Sequence, residues 1–216
     1  MPLSKEAVIE AIDKAKGASK KRRFKQSVDL IISLRDVDVK KPENRINELL
    51  EVPNATGKRT KICVIANGDL ALKAERSGAD RVIRKKDLEA LSKDRKSAKK
   101  LADEFDFFIA EAPLMPLVGK ALGAALGPAG KMPTPVPPRT AIDKVIEKHR
   151  RMVRIRVWKQ PNLQTSVGTE DMPSEEIAEN VISIVTRLEG KLKRGIKNIR
   201  SAKIKLTMGK PVNIKL

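Results

Sequence analysis

The sequence predicts an α+β domain built from both chain termini, with an α/β domain of Rossmann-like, parallel-sheet type inserted between its halves. Three observations carry that expectation. Toward both ends, stretches such as "VDLIISL" and "VRIRV" alternate apolar and polar residues, as strands do in antiparallel sheets with one wet face. In the middle, "CVIA" and "FFIA" are continuously apolar and separated by helical patterns, as expected of parallel strands covered on both faces. The style changes near Lys61 and again near Met152, so residues 1–60 with 153–216 are expected to form one domain and 61–152 the other.

The elements follow in order. Ser4 can cap a first helix, with Leu3 and Val8 placed as a hydrophobic staple, Val8, Ile9 and Ile12 as its apolar face, and Gly17 as its end. The basic run "KGASKKRRFKQS" leads into a strand on which Val28, Leu30, Ile32 and Leu34 share one side; "RINELLEVP" is a further extended segment before the turn "PNATGK". The inserted region reads as strand "KICVIA", helix "NGDLALKAERSG", strand "ADRVIR", one long charged helix ending near Phe105, strand "DFFIAEAP", the Gly-rich "GKALGAALGPAGKMPTPVPP" and helix "TAIDKVIEKHRR". Val153, Ile155 and Val157 then face one way and Arg154 and Arg156 the other, with "QPNLQTSVG" as the hairpin partner of that strand. Ser174 is placed to cap a helix with Ile177, Val181, Ile184, Val185 and Leu188 on one face, and two strands close the chain.

Composition narrows the function. With 46 Lys and Arg against 27 Asp and Glu, the 216 residues carry a formal charge of +19, which points to a polyanionic partner. No stretch approaches the roughly 20 apolar residues that span a bilayer, and no apolar run follows Met1, so a cytoplasmic protein without a membrane partner is expected. Cys63 is the single cysteine and sits in an apolar run, which suits a small buried hydrophobe. His149, the one histidine, lies at a basic helix end where it suits a dipole partner; no cluster around it suggests a catalytic residue or a metal site, and no cofactor is expected.

A nucleotide-binding enzyme using the α/β region is the alternative. Its motifs are incomplete: "TGKRT" lacks the leading Gly and the adjacent Ser or Thr of a P-loop, and "VIANGDL" is not GxGxxG. Gly119, Gly123 and Gly127 recur every four residues, which suits close helix packing better than a phosphate cradle. Nucleic-acid binding has positive support. From Arg187 onward there are ten Lys and Arg against the single acid Glu189. Aromatic residues make up only 2% and Tyr is absent, so a sheet of stacking aromatics is disfavoured and structured RNA, read through phosphates and 2′-hydroxyls, is favoured.

The last two strands focus that reading. If the strand "KIKLTMG" stays regular, Ile204, Leu206 and Met208 share one face and Lys203, Lys205 and Thr207 the other. Gly209 removes a side chain at the bend and Pro211 stops further pairing. Thr207 can bond a 2′-hydroxyl, Met208 can touch a base or sugar, and Lys210 can meet a phosphate.

Four stretches resemble one family: "RRFKQSVDLIISLRDVDVKKPENRINELLEVPNATGK", "LMPLVGKALGAALGPAGKMPTP", "RIRVWKQPNLQTSVGTEDM" and "LTMGKPVNI". They are similar to large-subunit ribosomal protein one, the side-stalk protein family, in its archaeal form. The resemblance implies a terminal-segment α+β domain hinged to an inserted α/β domain and no enzymatic activity. It implies a ribosome-bound protein that binds large-subunit ribosomal RNA at the mobile side stalk, assists release of exit-site tRNA, and represses translation by binding its own mRNA. Off the ribosome a monomer is expected. Carried over by position, the RNA-binding residues would be Arg23, Phe24, Gln26, Ser27, Lys159, Gly168, Thr207, Met208 and Gly209, with Arg154, Lys205 and Lys210 completing the candidate set. Lys25 stands where relatives often have Thr, and "GKMPTPV" departs from the bacterial-like "GLMPNPK".

Overall fold

The computed structural model describes residues 3–215. Contacts separate it into two compact units, one made of residues up to Lys58 with those from Arg151 onward, the other of Arg59–Arg150. The protein is a mixed α/β structure holding both antiparallel and parallel sheets. No helix among the described residues is long and apolar enough to cross a membrane.

Helix α1 (Lys5–Ala18) begins where Ser4 Oγ accepts the Ala7 N–H at 3.3 Å, and it buries Val8, Ala11, Ile12 and Ala15. Its end differs from the expected Gly17. The helix runs through Gly17 to Ala18 and stops when Ser19 turns extended, with the Ser19 N–H on the Lys16 carbonyl. No left-handed cap is used, so the glycine is not needed there. Strand β1 (Ser27–Leu34) buries Val28, Leu30, Ile32 and Leu34 as its alternation requires, and β2 (Ile46–Glu51) follows.

The second unit holds β3 (Ile62–Ile65), α2 (Gly68–Arg76), β4 (Arg81–Ile83), α3 (Lys85–Lys93), α4 (Arg95–Glu104), β5 (Phe107–Glu111), α5 (Met115–Ala129), β6 (Thr134–Val136) and α6 (Ile142–Arg150). Its four strands run parallel in the order β4-β3-β5-β6. All of β3 is buried, which explains why its sequence does not alternate. The single charged helix expected before Phe105 is two helices. Asp94 breaks it: its Oδ1 accepts the Lys96 and Ser97 N–H groups at 2.9 and 3.2 Å and so starts α4. Lys131 Nζ closes the other end of α4 on the carbonyls of Ala102 and Phe105, both at 2.8 Å.

Two further expectations for this unit are corrected. Gly119, Gly123 and Gly127 do line up on α5, but a Cβ at any of them would meet nothing within 4 Å, so they serve no close packing. The helix instead buries Val118, Leu122 and Leu126. His149, expected as a charged partner of the helix dipole, is buried in a setting that favours the neutral ring: Nδ1 lies 2.8 Å from the Val145 carbonyl and Nε2 3.2 Å from Thr134 Oγ1, joining α6 to β6.

The first unit resumes with β7 (Met152–Val157), β8 (Asn162–Thr169), α7 (Ser174–Glu189), β9 (Ile199–Leu206) and β10 (Val212–Ile214). A four-stranded antiparallel sheet has the order β10-β9-β1-β8, while β2 and β7 form a two-stranded antiparallel ribbon. Thus β7 and β8 are not hairpin partners. Seven residue pairs tie β8 to β1, and β7 takes β2. Ser174 lies inside α7 rather than capping it and donates from Oγ to Asp13 Oδ1 of α1 at 2.6 Å. Apolar residues of the sheet, the ribbon, α1 and α7 share one core.

A bulge in β8 is held by buried polar groups. Val28 pairs with Gly168 and Asp29 with Ser166, so Val167 is the extra residue. Its carbonyl accepts from Asn180 Nδ2 at 2.9 Å, and the same amide group spans the Asn54 backbone through two bonds of 2.9 Å. Beside it, a Cβ at Gly168 would stand 2.9 Å from Ile177 Cγ1 and 3.3 Å from Met172 Sδ.

Gly168→Ala is therefore expected to overpack the contact between β8 and α7 and destabilise the first unit by about 1–3 kcal/mol; an unchanged urea midpoint would remove this account of the glycine. Burial lowers the His149 pKa below its ordinary 6.5, the Val145 carbonyl opposing and Lys148 adding to the shift. The folded unit thus favours the neutral ring. That stability is complete above pH 6.5 and is lost as pH falls, because the unfolded chain takes up the proton first. His149→Gln should give a shallower fall in melting temperature on acidification than the native chain, and parallel curves would refute the linkage.

Candidate nucleic-acid interface

Position along β1 organises the candidate residues. At its N-terminal end the chain passes from α1 through the exposed run Lys20 to Lys25 and enters the sheet at Gln26. Gln26 is fully buried, and every polar atom of its side chain is used. Nε2 donates to Ser19 Oγ at 3.1 Å, Glu170 Oε2 at 3.2 Å and the Lys20 carbonyl at 3.3 Å. Oε1 accepts the Met208 N–H at 3.2 Å. The Gln26 N–H meets Glu170 Oε1 at 3.0 Å, and its carbonyl accepts the Glu170 N–H at 3.0 Å. One amide thus ties the basic run, the end of β8 and the turn after β9.

That turn is fixed at its other residues as well. Thr207 Oγ1 accepts the Ser27 N–H at 3.0 Å, and the Thr207 N–H donates to the Ser27 carbonyl at 3.1 Å. The Gly209 N–H closes on the Leu206 carbonyl at 2.9 Å. The strand therefore ends at Leu206, and Met208 does not follow Ile204 and Leu206 into the core; it is 60% exposed. A Cβ at Gly209 would crowd Leu206, at 3.3 Å from its Cβ, so the glycine serves the tightness of the turn. Phe24 is 50% exposed, not core, and with Arg23, Lys25, Lys16 and Leu206 it lines an open groove of about 510 Å³.

The structure brings Arg23, Phe24, Gln26, Ser27 and Thr207 to Lys210 to one end of the sheet. Lys205 continues the group along the face that points away from the core. There Asp29 lies between Lys205 and Ser166, Ile31 between Lys203 and Gln164, and Ser33 between Ser201 and Asn162. Burial raises the pKa of the Asp29 carboxyl, against the pull of Lys205 and Lys58. The sequence reading missed this polar face, although the outward members of "SVDLIISL" were its signal.

Gly168, a residue of β8, pairs with Val28 near that same end of the sheet but is buried on the core side against Ile177 of α7. Arg154 and Lys159 lie elsewhere. Arg154 is on the ribbon, opposite Leu49, and Lys159 lies between β7 and β8. Because β8 runs antiparallel to β1 and starts beside Ser33, Lys159 belongs at the Leu34 end of β1. Seven strand steps, about 24 Å, separate that end from Ser27. Among the described residues no group of His, Cys, Asp and Glu is arranged to hold a metal ion.

Comparison with known proteins gives a consistent result. The model of the ribosomal protein L1p/L10e family matches residues 14–210. Proteins named large ribosomal subunit protein uL1 are similar along nearly the whole chain. That of Methanothermobacter thermautotrophicus is 47% identical over 207 residues, covering 96% of this chain and 98% of the relative. That of Methanobrevibacter smithii is 49% identical over 207 residues, with 96% and 98% covered. That of Thermofilum pendens is 50% identical over 207 residues, with 95% and 91% covered.

The Gln26 amide makes a direct prediction about the turn. Gln26→Leu keeps the volume but takes the side-chain amide from the Met208 N–H and from Glu170 Oε2, while the two backbone bonds to Glu170 remain, a cost of about 1–3 kcal/mol. Amide exchange at Met208 should accelerate by more than at Ile204; equal protection in the variant would show that the glutamine does not hold the turn.

Proposed function

Because this chain belongs to the ribosomal protein L1p/L10e family, we propose that residues 1–60 with 153–216 form its RNA-binding domain and 61–152 an inserted α/β domain. Membership makes it a structural, non-enzymatic protein of the large ribosomal subunit, with ribosomal RNA as its partner. The nucleotide-binding enzyme is set aside on that ground, and the Gly-rich row that kept it open is the body of α5, not a phosphate loop.

The finer reading is that the RNA is the side-stalk element of the large subunit. Movement of the stalk then assists release of exit-site tRNA, and the same face binds the protein's own mRNA to repress its translation. The observation that carries this reading is the turn after β9. Its backbone is bonded to Gln26 and Ser27, while Met208 projects into solvent beside an exposed basic run. A preformed turn lowers the ordering cost of binding. The lysines and arginines supply affinity without sequence preference, so selectivity falls to shape, to the Thr207 and Ser27 hydroxyls and to the fit of Met208. Arg23, Phe24, Lys205 and Lys210 complete the contact set, and Gln26 acts by positioning Met208.

With about six phosphate contacts, affinity for a side-stalk ribosomal RNA fragment should fall roughly a thousandfold between about 50 and 200 mM salt. An unrelated structured RNA should bind more weakly at every salt concentration. Met208→Asp should remove the preference for the stalk fragment while circular dichroism stays native. Equal affinities for both RNAs, unaffected by the substitution, would reduce the interface to a general basic surface.

A further inference from the structure

The side of the β2–β7 ribbon that points away from the core carries an aromatic site that the stalk-RNA reading leaves unused. The register sets Ile46 opposite Val157 and Asn47 opposite Arg156, and one more step brings Arg45 opposite Trp158. Arg156 and Trp158 are two residues apart and so share a side of the strand. The guanidinium carbon of Arg45 lies 4.8 Å from the indole centroid and that of Arg156 5.4 Å. Arg45 is held in place by bonds from Nε to the Val39 carbonyl at 3.0 Å and from Nη2 to the Lys40 carbonyl at 3.4 Å. The indole is nevertheless not enclosed: Trp158 is 42% exposed, and Lys40, Lys41 and Lys159 are exposed beside these residues in the chain. An open indole among cations is poorly explained by packing, because large aromatic surface is ordinarily buried.

We infer that Trp158 and Arg45 form a stacking site for an unpaired base of an RNA strand, at the Leu34 end of β1 and separate from the turn at Met208. A base offers a flat π-face and a phosphate on each side. It stacks on the open part of the indole, and the Arg45 guanidinium beside the ring, with Lys159, meets the neighbouring phosphates. An acidic peptide would satisfy the cations but has no use for the indole, so the combination favours a nucleic acid. The inference rests on the chain's being an RNA-binding protein, and it extends the footprint by the length of β1.

The test is spectroscopic, since Trp158 is the single Trp and the chain has no Tyr. Oligoadenylate added to the full-length protein should quench tryptophan emission saturably, whereas a blunt RNA duplex should be retarded on a gel without changing it. Trp158→Ala should weaken oligoadenylate binding by about 5- to 150-fold, the range for one stacked base, and Trp158→Phe should restore most of the loss. Oligoadenylate binding with silent emission, or unchanged affinity in a folded Trp158→Ala variant, overturns the site. So does polyglutamate that quenches as strongly as the oligonucleotide. If a side-stalk ribosomal RNA fragment binds while these results fail, only the stacking site falls; if that fragment does not bind either, the RNA-binding reading falls with it.

Discussion

Strand β1 is flanked by β9 on one edge and β8 on the other, and the first unit depends on that double pairing. With both edges occupied, each residue has one of two destinations. Val28, Leu30, Ile32 and Leu34 go to the core, and Ser27, Asp29, Ile31 and Ser33 go outward. A slip of one residue would exchange the two sets and expose four large apolar side chains, so the register is strongly determined. The same constraint fixes what the outward face offers. Lys205 and Lys203 from β9, with Ser166 and Gln164 from β8, are delivered to that face by pairing rather than by any contact of their own.

What was legible in the sequence follows from which forces are local. The alternation of β1 and β7 and the unbroken apolar runs of β3 and β5 report burial on one face or two, and they identify the strands correctly. Partners are not local. The segment "QPNLQTSVG" follows β7 after a short loop, yet it pairs with β1, because the choice is made by side chains distant in sequence. Caps were legible where they depend on one hydroxyl, as at Ser4. They were misjudged at Ser174, whose hydroxyl goes to Asp13 across a helix pair. The break at Asp94 carried a signal, an Asp followed by an apolar period, but it sat inside a run of charged helix formers that reads equally well as one helix.

The candidate site was legible in part for the same reason. Its charge is a property of composition and is visible directly. A regular strand would put Met208 on the face of Ile204 and Leu206, but the strand ends at Leu206 and the turn leaves Met208 exposed, as a contact to a base or sugar requires. Nothing in the sequence marks Gln26 as the anchor of that turn, since its partners Ser19, Glu170 and Met208 are spread over nearly the whole chain. Gly168 and Gly209 entered the candidate set through the resemblance, and a Cβ at either would meet the protein's own atoms, Ile177 in one case and Leu206 in the other.

These placements separate two kinds of residue within a set that sequence position alone treats as equal. Gln26 and Gly168 are interior, where they could bear on a ligand only through the shape they impose. Phe24, Thr207, Met208 and Lys210 are exposed and able to touch one. An interface of this composition divides its tasks. Long-range attraction comes from many lysines and arginines, each replaceable by another, and is weakened by salt. Discrimination requires groups that cannot rearrange to suit the wrong partner, and a turn held by hydrogen bonds to Gln26, Ser27 and Leu206 meets that requirement. On the proposed role of this turn in binding RNA, the buried amide would matter as much as the methionine it presents, because it fixes the backbone at Met208 although no ligand atom need come near it.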